Sequence, residues 1–142
     1  DGEFAARVQQ RLRDRPPPAG TLSFELPERV AAEQFELVQR FAQLLRPLGV
    51  RVGIEHAGAQ LHRIERLYEL GIDFVKLDAS LCAGVSGSDT ARHVLRATVA
   101  LVHALSVKAY AEGVVDDADA QVLFELGLDA VGGPWALRHA AR

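Results

Sequence analysis

The chain has 142 residues, 49% of them hydrophobic and 25% charged, with a formal net charge of −3, which suits a folded globular protein and excludes disordered and fibrous classes. The acidic balance supplies no basic field for a nucleic-acid polymer. The single cysteine, Cys82, excludes an internal disulfide and reads as a small core thiol in a cytoplasmic setting, and no apolar run approaches the roughly 20 residues that cross a bilayer.

Phe4, Val8 and Leu12 recur at helical spacing, which predicts a helix over 2–14 that the prolines at 16, 17 and 18 stop. "TLSFELPE" reads as a short strand. "AAEQFELVQRFAQLLRPLG" places Phe35, Val38, Phe41 and Leu45 on one helical face, and "VRVGIEH" returns to strand character. "QLHRIERLYELG" is expected to be helical and "DFVKLDAS" a strand. "AGVSGSDT" is a flexible turn or mobile ligand lid before a helix capped by Asp89 or Thr90. That helix is "TARHVLRATVALVHALS", followed by the strand "VKAYAEGV", the helix "DADAQVLFELG" and a last strand, "DAVGG". Trp135 reads as a packing anchor under the final loop, and no internal repeat or low-complexity tract is expected.

Strands alternating with helices imply right-handed crossovers and a parallel sheet covered by helices, so the class is α/β. Five strands suit an open doubly wound sheet or part of a (β/α)8 barrel; a complete barrel takes about 250 residues. No glycine-rich phosphate fingerprint follows any strand, which argues against a dinucleotide fold.

Polar residues gather where the strands end. Glu25 and Glu28 follow the first, Glu55 and His56 the second, Lys76 and Asp78 the third, and Glu112 the fourth, whereas the fifth ends in Gly132 and Gly133. Parallel strands bring these ends to one face, where several carboxylates and one lysine suit a divalent cation with phosphate. Helix capping is the plainer reading of each acid taken singly. It explains Lys76 and Asp78 least, because alternating strand residues share a face and a buried lysine needs a partner. His62, His93 and His103 lack an i, i+4 ligand pattern and read as surface or packing residues.

At these strand ends the sequence resembles the EAL-domain family, bacterial (β/α)8-barrel phosphodiesterases that hydrolyse cyclic di-GMP with two divalent metals. "FELPE" resembles the family's Glu-x-Thr-Glu, with Pro27 in the threonine place; the first Glu there binds metal and the second steadies a loop near the site. Lys76-Leu77-Asp78 is similar to its Lys-x-Asp, and "AEGVV" to its Ala-Glu-Gly-Val-Glu, with Val115 replacing the last Glu. "GIEHAG" falls where the family has Asp-Asp-Phe-Gly, so Glu55 and His56 replace its metal-holding aspartates; Glu lengthens the arm and His suits softer metals than Mg²⁺. Gly132-Gly133 replaces Gln-Gly.

These departures resemble the degenerate, LapD-type EAL domains, which bind cyclic di-GMP without cleaving it and signal from the cytoplasmic side of the inner membrane. The resemblance implies a catalytically inactive cyclic di-GMP sensor. Its expected ligand-binding residues are Glu25, Glu55, His56, Lys76, Asp78 and Glu112, with Glu25, Asp78 and Glu112 as vestigial metal ligands. None is expected to act catalytically, the family-equivalent Lys76 and Glu28 included. Binding would need no cofactor, and residual hydrolysis would need Mg²⁺ or Mn²⁺. Matching by order makes residues 1–142 strands four to eight of one partial TIM-type barrel, joined to other domains of a parent protein and disposed to self-associate. A manganese-dependent phosphodiesterase and a nucleotide-independent interaction domain stay open as alternatives.

Overall fold

The computed structural model describes residues 2–16, 22–58, 60–61 and 66–140. Helix α1 (Gly2–Asp14) precedes β1 (Ser23–Pro27), α2 (Glu28–Glu33), α3 (Phe35–Leu45) and β2 (Arg51–Ala57). Then come β3 (Phe74–Leu77), α4 (Ala79–Cys82), α5 (Asp89–Ala104), β4 (Lys108–Ala111), α6 (Asp117–Glu125), β5 (Ala130–Val131) and α7 (Pro134–His139). The strands form one sheet in the order β1-β2-β3-β4-β5, and every neighbouring pair is parallel. This is the α/β alternation expected, as an open segment of a barrel-like sheet.

Period-2 alternation sorts each strand between two faces. Val52, Ile54, Val75, Leu77, Ala109 and Ala111 are buried in one cluster with Val38 of α3, Leu95 and Val99 of α5 and Leu123 of α6. Between them, Gly53, Phe74, Lys76 and Tyr110 fall on the opposite face. Phe74 is nonetheless buried, because its ring lies over Gly53, where a Cβ would come within 2.2 Å of it, and stacks on Tyr110 at 5.4 Å between centroids.

Several elements depart from the sequence reading. The long second helix is broken at Gln34 (φ −128°, ψ 50°) into α2 and α3; the break lets Ala31 of α2 and Val38, Phe41, Ala42 and Leu45 of α3 each bury a short apolar face. Residues 67–70 form a 3₁₀ turn, and His62 lies outside the described residues. Helix α5 is capped by Ser88, whose side chain accepts the Ala91 N–H, and not by Asp89 or Thr90. The loop before it is tied down: the buried Asp119 carboxylate accepts the N–H groups of Gly84 and Ser86 at 2.9 Å, and Arg92 donates to the carbonyls of Val85 and Ser86. Trp135 sits in the unforeseen α7, stacked on His139 at 4.3 Å and donating its indole N–H to Asp117.

A short repeat also emerges. Leu48-Gly-Val-Arg-Val52, Leu70-Gly-Ile-Asp-Phe74, Leu105-Ser-Val-Lys-Ala109 and Leu126-Gly-Leu-Asp-Ala130 lead into β2, β3, β4 and β5. The second residue is left-handed in each, at φ 76°, 73°, 60° and 101° for Gly49, Gly71, Ser106 and Gly127. The third is buried in all four, and in three copies its N–H bonds back five residues into the preceding helix, the bond that ends a helix in a Schellman turn. The fourth starts the parallel ladder: Arg51, Asp73, Lys108 and Asp129 donate to the carbonyls of Leu22, Val52, Asp73 and Ala109. Both aspartates also accept a neighbouring strand's N–H, from Val52 and Ala109, at 2.8 Å.

Candidate functional site

The C-terminal ends of β1 to β4 surround a recess of about 120 Å³ lined by Glu25, Glu55, His56, Lys76, Leu77 and Glu112. Alternation along "FELP", "FVKL" and "KAYAE" aims Glu25, Lys76 and Glu112 at it. Lys76 Nζ is ion-paired with Glu25 and lies 3.5 Å from Glu112 Oε1, so the lysine has the partner that its partly buried strand position demands. Burial pulls the ammonium pKa down, but the Glu25 hydrogen bond and the Glu112 charge more than offset it and leave Lys76 raised. Lys76 Nζ also lies 6.0 Å from the Phe74 ring centroid.

Glu55 and His56 are adjacent, and in a regular strand their side chains would point to opposite faces. The β2–β3 register shifts here: Ile54 pairs with Val75 and Ala57 with Leu77, so this pair stands opposite Lys76 alone, as a β-bulge. His56 takes the left-handed conformation, φ 52°, a position usually given to glycine. Both side chains therefore reach the recess, while Ile54 and Ala57, three residues apart, are both fully buried.

The bulge is fastened on both sides. His56 Nδ1 donates to Asp78 Oδ1 at 3.0 Å, an orientation required because a carboxylate only accepts. Asp78 Oδ2 accepts the Ser80 N–H at the start of α4, and the Ser80 hydroxyl as well. The Ser80 hydroxyl and N–H, then His56, hold the Asp78 carboxyl below the usual carboxylate range, and Asp78 followed by Glu55 raises the imidazole. On the other side Glu28, 5% exposed, accepts the N–H groups of Gly58 and Gln60 at 2.7 and 2.8 Å.

Of the residues expected at one site, the fold gathers Glu25, Glu55, His56, Lys76 and Glu112. Asp78 stands behind His56, and Glu28 serves the loop after β2. Capping accounts for Asp78 but not for Glu25 and Glu112, which face Lys76. Sequence reasoning missed Phe74 and Gly53; their signal was the alternation Phe74–Lys76 and a lone glycine inside a strand pattern. Gly132 also matters, since a Cβ there would lie 3.3 Å from Glu112 Oε2.

Of the metal ligands implied by the resemblance, this chain supplies Glu25, Asp78 and Glu112 at its strand ends, with Glu55 and His56 in place of the aspartate pair. Among the described residues no group of three or more His, Cys, Asp or Glu side chains is arranged to hold an ion, and Glu25, Asp78 and Glu112 do not form one.

Together these features define an α/β barrel-type protein with a polar site at the C-terminal ends of its strands, the usual ligand face of such folds. The chain belongs to the EAL-domain family, which it matches over residues 1–138. It is 27% identical over 135 residues to the probable cyclic di-GMP phosphodiesterase PdeN of Escherichia coli, covering 95% of this chain and 26% of that protein. Its fold is similar to the FimX EAL domain of Pseudomonas aeruginosa solved bound to c-di-GMP, with TM-score 0.85 and 20% identity over 94% of this chain and 55% of that one. The S helix-GGDEF-EAL portion of Vibrio cholerae LapD matches with TM-score 0.85 and 20% identity, over 95% of this chain and 33% of that one. The chain thus spans about half of the FimX domain and about a quarter of PdeN. Among the described residues no helix is long and apolar enough to cross a membrane.

Proposed function

We propose that this chain supplies strands four to eight of an EAL barrel that retains cyclic di-GMP without cleaving it, and so acts as a sensor. The observation that carries this reading is the recess itself. Lys76 offers one ammonium to a phosphodiester oxygen, the carboxylates of Glu25, Glu55 and Glu112 can accept the N–H edge of a guanine, and Glu55 with His56 stands where the family holds its metals. With Glu55 and His56 in place of the family's aspartate pair, this reading holds no ion there to activate water or neutralise the phosphoryl oxygens. Ligand occupancy would then be passed to other domains of a larger protein or to a second copy, from a cytoplasmic position.

Equilibrium dialysis of the full-length protein against cyclic di-GMP with Mg²⁺ or Mn²⁺, followed by chromatography of the recovered nucleotide, tests this. Intact retained nucleotide is expected. Linear product would replace the reading with a phosphodiesterase, and no retention would leave an interaction domain.

A further inference from the structure

The β2 bulge does more than interrupt a strand. Its left-handed position is held by a non-glycine residue, His56 at φ 52°, and backbone of that kind persists where surrounding contacts over-determine it. Three contacts do so here. His56 Nδ1 is bonded to Asp78, Asp78 is itself locked to Ser80 at the start of α4, and Gly58 two residues on fits so closely that a Cβ there would meet Leu81 Cδ1 at 2.0 Å. Straightening the strand would send either the imidazole into the helix-covered layer or Ala57 out of it, and Ala57 is fully buried.

We infer that His56 is a positioning residue: its left-handed backbone, tied through Asp78 to α4, makes the bulge that turns Glu55 and the imidazole together into the recess that Lys76 also lines, and sets its shape. The inference rests on the function proposed above for its ligand but not for its geometry. The tie also joins β2 to the element that follows β3, so a molecule seated against Lys76 touches a unit built from two strand ends.

A series at one position tests it in the full-length protein. His56→Val disfavours positive φ, His56→Gly permits it but removes the bond to Asp78, and His56→Asn both tolerates it and can donate to Asp78. Two readouts are taken: affinity for cyclic di-GMP by equilibrium dialysis, and the ¹H–¹⁵N amide positions of Lys76 and Ser80 without ligand. Affinity should fall in the order His, Asn, Gly, Val, with the Val variant weaker by about tenfold. The Lys76 amide should move chiefly in Val, and the Ser80 amide in Gly and Val. Unchanged amides and affinity in Val, or Asn as impaired as Gly, would overturn the inference. If Val does not fold, Asn retaining the Ser80 amide position that Gly loses upholds it, and equal behaviour of the two overturns it. If the parent protein retains no nucleotide, the sensor reading falls alone and the amide positions decide the role of His56.

Discussion

Lys76 carries the charge balance of the recess, since one ammonium stands among the carboxylates of Glu25, Glu55 and Glu112. Replacing it by alanine leaves like charges facing one another and removes the group that would meet a phosphate. Lys76→Ala should therefore weaken cyclic di-GMP binding by roughly tenfold or more, measured by equilibrium dialysis; affinity within twofold would show that Lys76 does not face the ligand. Glu28 is a different case, because its buried carboxylate serves two backbone N–H groups, those of Gly58 and Gln60. Removing it orphans both, at about 1–3 kcal/mol for each group that stays dry. Urea unfolding of Glu28→Ala should show a loss of about 2–4 kcal/mol, and a loss below the scatter of such measurements would mean that water replaces the carboxylate freely.

Strand starts show how elements are specified. Each of the four repeats needs a left-handed residue to end one element and aim the next, and Gly49, Gly71 and Gly127 meet that need without a side-chain penalty. Ser106 meets it at φ 60° with a Cβ in place. A left-handed L-residue costs about 1–2 kcal/mol, while glycine's extra unfolded-state freedom costs about 0.5–1 kcal/mol. Ser106→Gly should accordingly stabilise the protein by about 0.5 kcal/mol, read as a higher urea midpoint at unchanged slope. A lower midpoint would show that the Ser106 side chain makes a compensating contact.

At the scale of the molecule, carboxylates that fasten strands and loops set the acid limit of stability. Burial alone would raise Asp119, but the Ser86 N–H and hydroxyl and the Gly84 N–H hold it below the usual carboxylate range. Asp129 is likewise raised by burial and brought lower still by the Ala109 N–H and His103. A carboxyl whose folded value is depressed contributes stability that is present above the unfolded value, about 3.9, and is lost as pH falls through the folded one. Unfolding free energy should therefore drop below about pH 4, and replacing Asp119 with Asn should flatten that drop. A curve equally steep without Asp119 would assign the acid limit elsewhere. Cys82 lies outside this balance: burial pushes its thiol up to about 11, which keeps it unreactive in the folded chain.

The order of the strands, the parallel class and the convergence of Glu25, Glu55, His56, Lys76 and Glu112 were legible in the sequence. Strand and helix periods are local, and parallel strands bring their C-terminal ends to one face whatever their packing. The resemblance added the reading that Glu55 and His56 stand in place of a metal pair. Tertiary structure alone decided the rest. Adjacent Glu55 and His56 face the same way because Ala57 must return to the buried layer, which forces a bulge that no period predicts. Phe74 is buried on the polar face because Gly53, on another strand, leaves room for its ring. Asp78 bonds to His56 because Ser80 and α4 hold its carboxylate to that side. Each depends on which residues lie opposite one another across the β2–β3 ladder, and that pairing exists only once the sheet has formed.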